Sequence, residues 1–127
     1  MSDDIELLGN GAQNNEILYD DKFINITNNH IFLKKYYFPT ATSKKIAFTD
    51  IESICTDHEY GLNALGYKTW GMGIAKVYWA YVGFNPKNLF ILKEKGASLS
   101  CGFAVENVEE FSNILKSNNV PMHKKEK

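Results

Sequence analysis

The stretch NLFILKEKGASLSCGFAVENVEEFSNILKS, Asn88 to Ser117, decides the fold class. Asn88 to Lys95 is an apolar run of strand length, and Gly96-Ala97 turns it into a second run, Ser98 to Val105. The pattern then becomes helical. Asn107 offers a cap oxygen, Glu110 three residues on completes a capping-box-like pair, and Glu109 suits the positive end of a helix. Val108, Phe111 and Leu115 recur at helical spacing with Ile114 beside them. This predicts an amphipathic helix of about ten residues ending near Ser117.

Upstream, the chain reads as strands and turns. Glu16 to Thr27 is a β-run with an irregularity or bulge at Asp20-Asp21. Asn28-Asn29-His30 is a tight turn, since asparagine accepts left-handed angles cheaply. Ile31 to Phe38 returns as the hairpin partner until Pro39 stops it. Alternation puts Ile31, Leu33, Lys35 and Tyr37 on one face and Phe32, Lys34, Tyr36 and Phe38 on the other. Lys45 to Thr56 continues as strand, bent near Thr49-Asp50, and Asp57 to Lys68 is an irregular insertion. Trp70 to Phe84 alternates again, with Val77, Trp79 and Tyr81 on one face. The expected architecture is mainly β: a sandwich or barrel of about seven antiparallel strands capped by one C-terminal α-helix. One domain is expected over 15–117, with a flexible arm at 1–14 and a flexible tail at 118–127.

With 127 residues, 44% of them hydrophobic, the chain can bury a core without disulfides or metals. Its net charge of −1 supplies no global field, so a nucleic-acid partner is not expected. The charges are nevertheless uneven. Residues 1–21 carry six acids and no base, whereas residues 22–50 carry five lysines against Asp50 alone. Every basic residue is lysine, so the bidentate arginine fork for phosphate or carboxylate is missing. The start, Met1-Ser2-Asp3-Asp4, is acidic where a secretory leader is basic, and no apolar run approaches the ~20 residues of a membrane span. The expectation is a cytoplasmic protein with Cys55 and Cys101 as reduced core thiols.

No catalytic or metal-binding motif is read, and no cofactor is expected. Asp57-His58-Glu59 would splay on an extended chain and not converge on one ion. Cys55 and Cys101 lack a histidine base placed to activate them, and the glycines lack phosphate-loop spacing. Candidate binding residues are Lys34, Lys35, Tyr36 and Tyr37, with Lys44 and Lys45 across a short loop. Such a surface could attract an anionic membrane, although edge lysines also guard against aggregation and tyrosines are good strand formers. Trp70 and Met72 would be apt anchors for a protein partner if exposed, with core packing as the alternative.

The element order and several local features resemble the pleckstrin-homology-like superfamily, in its small bacterial branch. The resemblance rests on Tyr36 to Pro39, on Ile46, Ile51 and Ile54, on Trp70-Gly71-Met72-Gly73 before Trp79, and on the capped helix with Glu109-Glu110-Phe111. It covers Glu16 to Lys116. It implies a non-enzymatic interaction module, protein-binding or self-associating through strand edges. Weak binding of anionic lipid, or of another anionic ligand, through the lysines is the alternative. Two departures stand out: the first hairpin loop is Asn28-Asn29-His30 where phosphoinositide binders are basic, and Phe111 stands where their closing helix carries tryptophan. Specific inositol-phosphate binding is therefore not expected.

Overall fold

The structure, a computed structural model, describes residues 16–61, 70–72, 76–83 and 87–122. Strands β1 (Ile17–Asp20), β2 (Ile24–Thr27), β3 (His30–Leu33) and β4 (Lys44–Ala47) pair in chain order into one antiparallel sheet. The run Glu16 to Thr27 is therefore a hairpin and not one strand. Asp21 makes its turn, because Oδ1 accepts the Phe23 and Ile24 amides at 2.7 and 2.8 Å. The next turn is held by the Thr27 hydroxyl, which accepts the His30 amide at 3.1 Å. Neither Asn28 nor Asn29 takes a positive φ, so the expected left-handed asparagine is not what closes it. Alternation then buries Ile24, Ile26, Ile31, Leu33 and Ile46 on one face.

The bend expected near Thr49-Asp50 is a change of sheet. A 3-10 turn at Phe48–Asp50 carries the chain from β4 into β5 (Ile51–Thr56), which pairs with β8 (Leu89–Glu94). β8 pairs with β9 (Ser100–Ala104), whose other side takes β7 (Val77–Trp79), and β6 (Gly71–Met72) is the last strand of the sheet among the described residues. The described residues of the run Trp70 to Phe84 thus hold two short strands, paired antiparallel with Gly71 opposite Trp79. Two further corrections concern topology. β7 and β9 run parallel, and the four- and five-stranded sheets do not close into a barrel. Two sheets with one C-terminal helix is the architecture observed.

The centre of the second sheet is buried on both faces. Cys101, Phe103 and Val105 join Ile54, Phe90 and Leu92 in the core shared with the first sheet. Ser100, Gly102 and Ala104 alternate with them, and the Trp79 ring lies against Gly102, its partner across the sheet. A Cβ on Gly102 would sit 2.4 Å from the Trp79 ring, so only glycine lets the indole approach.

Helix α2 (Val108–Ser117) closes the shared core as expected, burying Phe111 and Leu115. The Phe111 ring lies 4.9 Å from Phe90 and 6.0 Å from Phe103. Asn107 caps it by accepting the Glu110 amide at 3.0 Å. The reciprocal half of the expected capping box is missing, because the Asn107 amide donates to the Tyr19 hydroxyl. A complete box forms at Thr56 and Glu59 and starts the one-turn helix α1 (Asp57–Tyr60), within the stretch expected to be irregular.

Residues 118–122, expected in the tail, pack against the fold. Val120 is buried and its amide donates to Leu115 O, while the Ile54 amide donates to Pro121 O at 3.0 Å. Ile54 also bridges Met122, so this segment covers the edge of β5. The expected N-terminal arm and residues 123–127 lie outside the described residues.

Candidate functional site

β3 ends at Leu33, earlier than expected, and Lys35 takes φ +51°. That left-handed residue breaks the alternation. Leu33 and Tyr36 are both buried, while Lys35, Tyr37 and Phe38 face outward. The loop then folds back, and the Tyr36 and Tyr37 amides both donate to Thr42 O at 3.0 and 3.1 Å.

The region around β6 and β7 packs on this loop through three long-range hydrogen bonds. The Tyr81 amide donates to Lys35 O at 3.0 Å, Trp70 Nε1 donates to Tyr36 O at 3.2 Å, and the Phe38 amide donates to the Tyr78 hydroxyl at 3.0 Å. Rings join edge to face along the surface, Phe38 on Trp70 at 5.0 Å and Trp70 on Tyr81 at 5.6 Å. The Lys35 ammonium stands 5.8 Å from the Tyr81 ring centroid. Phe38 and Met72 are each 57% exposed, Tyr37 40% and Tyr81 38%. The result is a contiguous aromatic surface with a cation on its rim.

Of the residues singled out in sequence, Lys35, Tyr37 and Trp70 meet at this surface, Met72 is exposed on β6 opposite Tyr78, and Tyr36 lies buried beneath, its carbonyl accepting the indole N–H. Phe38 and Tyr81 belong to it and were assigned to strand faces on alternation alone. The signal for Phe38 was its place beside Pro39, which ends regular strand geometry.

The lysines do not form one surface. Lys34 turns to the other end of its loop, donating to Asp20 at 2.8 Å and to Asp21 O at 2.6 Å. That hydrogen bond, with another from Asn25, holds the Asp20 carboxyl below the usual range. Lys44 is half-buried, 3.3 Å from Glu94 and 5.8 Å from the Tyr36 ring centroid. Burial pushes its ammonium down, but Cys101, Glu94 and Tyr37 outweigh this and leave it raised. The thiol is neutral at pH 7, so Glu94 supplies the charge that holds Lys44 there. Lys45 is exposed on the opposite face of β4, with Phe32 as its cross-strand neighbour.

Burial pushes the Cys55 thiol up to about 11 and raises Cys101 against the opposing effects of Tyr36 and Lys44. Both stay protonated at neutral pH. Cys55 pairs with Ile91 and Cys101 with Leu92, consecutive residues of β8, so the two thiols flank that strand and point to opposite faces. Among the described residues no three His, Cys, Asp or Glu side chains are grouped to hold a metal ion. No described helix is long and apolar enough to cross a membrane. No protein-family model matches the sequence, and a search of curated proteins finds no match.

Proposed function

We propose that this protein is a non-enzymatic interaction module that takes a protein partner on the surface formed by Tyr37, Phe38, Trp70, Met72 and Tyr81. One observation carries the reading: Tyr37, Phe38 and Tyr81 are exposed and Trp70 is half-buried beside them, yet backbone hydrogen bonds and ring contacts hold these rings in place. Rigid aromatic anchors give large contact area with little entropy left to lose on binding. β6, the last strand of its sheet among the described residues, holds the exposed Met72 opposite Tyr78 and would add a backbone edge for strand addition. The pleckstrin-homology-like assignment is part of the proposal. A four-stranded meander, a second sheet and a closing helix support it, whereas the parallel β7–β9 pair departs from it.

Selection from a displayed random-peptide library tests the reading. The wild-type chain should enrich peptides that a Trp70→Ala, Met72→Ser variant of equal stability no longer holds. No enrichment, or equal retention by the variant, refutes it. Phosphatidylserine vesicles form the second arm. Vesicle binding lost on Lys35→Glu and Lys45→Glu, without peptide enrichment, would establish the anionic-surface alternative in its place.

A further inference from the structure

The first sheet ends in two edges of opposite charge. Among the described residues, no strand pairs with the outer side of β1 or of β4. The Phe48 amide turns inward to Asn29 O at 2.9 Å, so alternation turns the Lys45 and Ala47 amides outward. The Asp21 amide turns inward to Ile24 O at 3.0 Å, which leaves the Asp20 backbone facing outward on β1. The side chains at these two places complement each other. Asp20 accepts from Asn25 and Lys34 through Oδ1 alone, at 3.0 and 2.8 Å, and its Oδ2 has no partner among the described residues. Lys45 is exposed, and its ammonium has no partner among them either. We propose that copies of this chain associate head to tail, the β4 edge of one pairing with the β1 edge of the next and Lys45 meeting Asp20. The inference does not depend on the aromatic surface.

The cross-strand register selects this partner. Asp20 stands opposite Asn25, Asn25 opposite Phe32 and Phe32 opposite Lys45, a row that begins with an acid and ends with a base. The buried row beside it runs Tyr19, Ile26, Ile31, Ile46. The four strands alternate in direction, so the β1 of a next copy laid beside β4 is antiparallel to it by simple repetition of the sheet. Continuing the rows sets Lys45 opposite Asp20 of the next copy and Ile46 opposite its Tyr19, which keeps inner and outer faces in phase. Ile17, 61% exposed opposite Thr27, then falls beside Ala47, which ends the neighbouring row opposite His30. Like edges do not match in this way. Two β1 edges bring Glu16 and Asp20 of both copies together, and two β4 edges bring both Lys45 side chains together. A groove of about 490 Å³ between Leu18 and α2, with Glu109 and Glu110 on its wall, adds space and negative charge beside β1. Because each copy uses two different edges, every assembly keeps one free edge at each end and grows past a dimer.

Sedimentation velocity on the full-length chain over a concentration series, at low salt, provides the test. The average mass should pass twice 14.4 kDa and keep rising with concentration. Ala47→Pro should stay monomeric, because Ala47 has φ −73°, which proline accepts, and only its outward amide is lost. Lys45→Glu and Asp20→Lys should each stay monomeric as well. An equimolar mixture of those two should assemble, since each β4 edge in it again finds a β1 edge of opposite charge. Thermal melts that match wild type exclude misfolding, and Lys45→Glu, which alters only an exposed side chain, tests the edge if the proline variant melts early. A wild-type monomer at every concentration overturns the inference. So does a mass that stops at a dimer, assembly by a folded Ala47→Pro variant, or a mixture that stays monomeric.

Discussion

Asp21 and Lys35 each turn the chain out of a strand of the first sheet, and what surrounds them is opposite in kind. At Asp21, Oδ1 takes two local amides, and Oδ2 takes the Tyr19 hydroxyl at 2.6 Å and the Glu106 amide at 2.9 Å. Tyr19 in turn accepts the Asn107 amide, tying the first hairpin to the start of α2. At Lys35, the backbone carbonyls of Lys35 and Tyr36 fix Tyr81 and Trp70, and ring faces are left in solvent. The first corner turns its polar groups inward and gives each a partner, which holds the fold. The second uses hydrogen bonds only to position apolar groups, which leaves a surface ready for something else.

The largest expected effect tests the first corner. Asp21→Ala removes four side-chain hydrogen bonds, two of them reaching groups outside its own turn. Urea unfolding should show a loss of about 3–4 kcal/mol with an unchanged m-value. A loss as small as that of a surface substitution would break the comparison.

Alkaline pH is expected to act next. Burial, with the hydrogen bond to Asp21, pushes the Tyr19 phenol from 10.0 up to about 12. A raised folded-state pKa means that the folded chain keeps its proton longer. The contribution is therefore present below the unfolded value of 10.0 and is lost as pH rises to about 12. It is on the order of 2 kcal/mol. Denaturant melts across this range should fall less steeply in Tyr19→Phe than in wild type, although Cys55 contributes its own loss as pH approaches about 11. At neutral pH, Tyr19→Phe should cost about 1 kcal/mol, because the Asn107 amide loses its acceptor.

The smallest effect sharpens the contrast from the other side. Met72→Ser at the 57% exposed position should change stability by no more than about 0.5 kcal/mol while weakening partner binding. A melt shifted as far as that of Asp21→Ala would show that the aromatic corner holds the fold instead.

The first sheet was legible because alternation of Ile24, Ile26, Ile31, Leu33 and Ile46 is a local signal that burial enforces. The closing helix was legible from Phe111, Leu115 and the Asn107 cap. The capping box was half misread, since Tyr19, far away in sequence, takes the amide that Glu110 would have used. The small-residue alternation Ser100, Gly102, Ala104 was available as a sign that a bulky ring lies over that face of β9. For the aromatic surface, residue types named Lys35, Tyr37 and Trp70, but alternation misplaced Phe38 and Tyr81, because Lys35 carries no residue-type signal for a positive φ.

By itself, the sequence determined which residues avoid water, the strand character of the chain and the start of its last helix. These depend on side-chain chemistry and spacing within a few residues. Tertiary structure alone decided the transfer between sheets at Phe48–Asp50, the parallel β7–β9 pair and the gathering of the aromatic surface. Each of those is set by hydrogen bonds and packing between segments far apart in the chain, where local propensity has no vote.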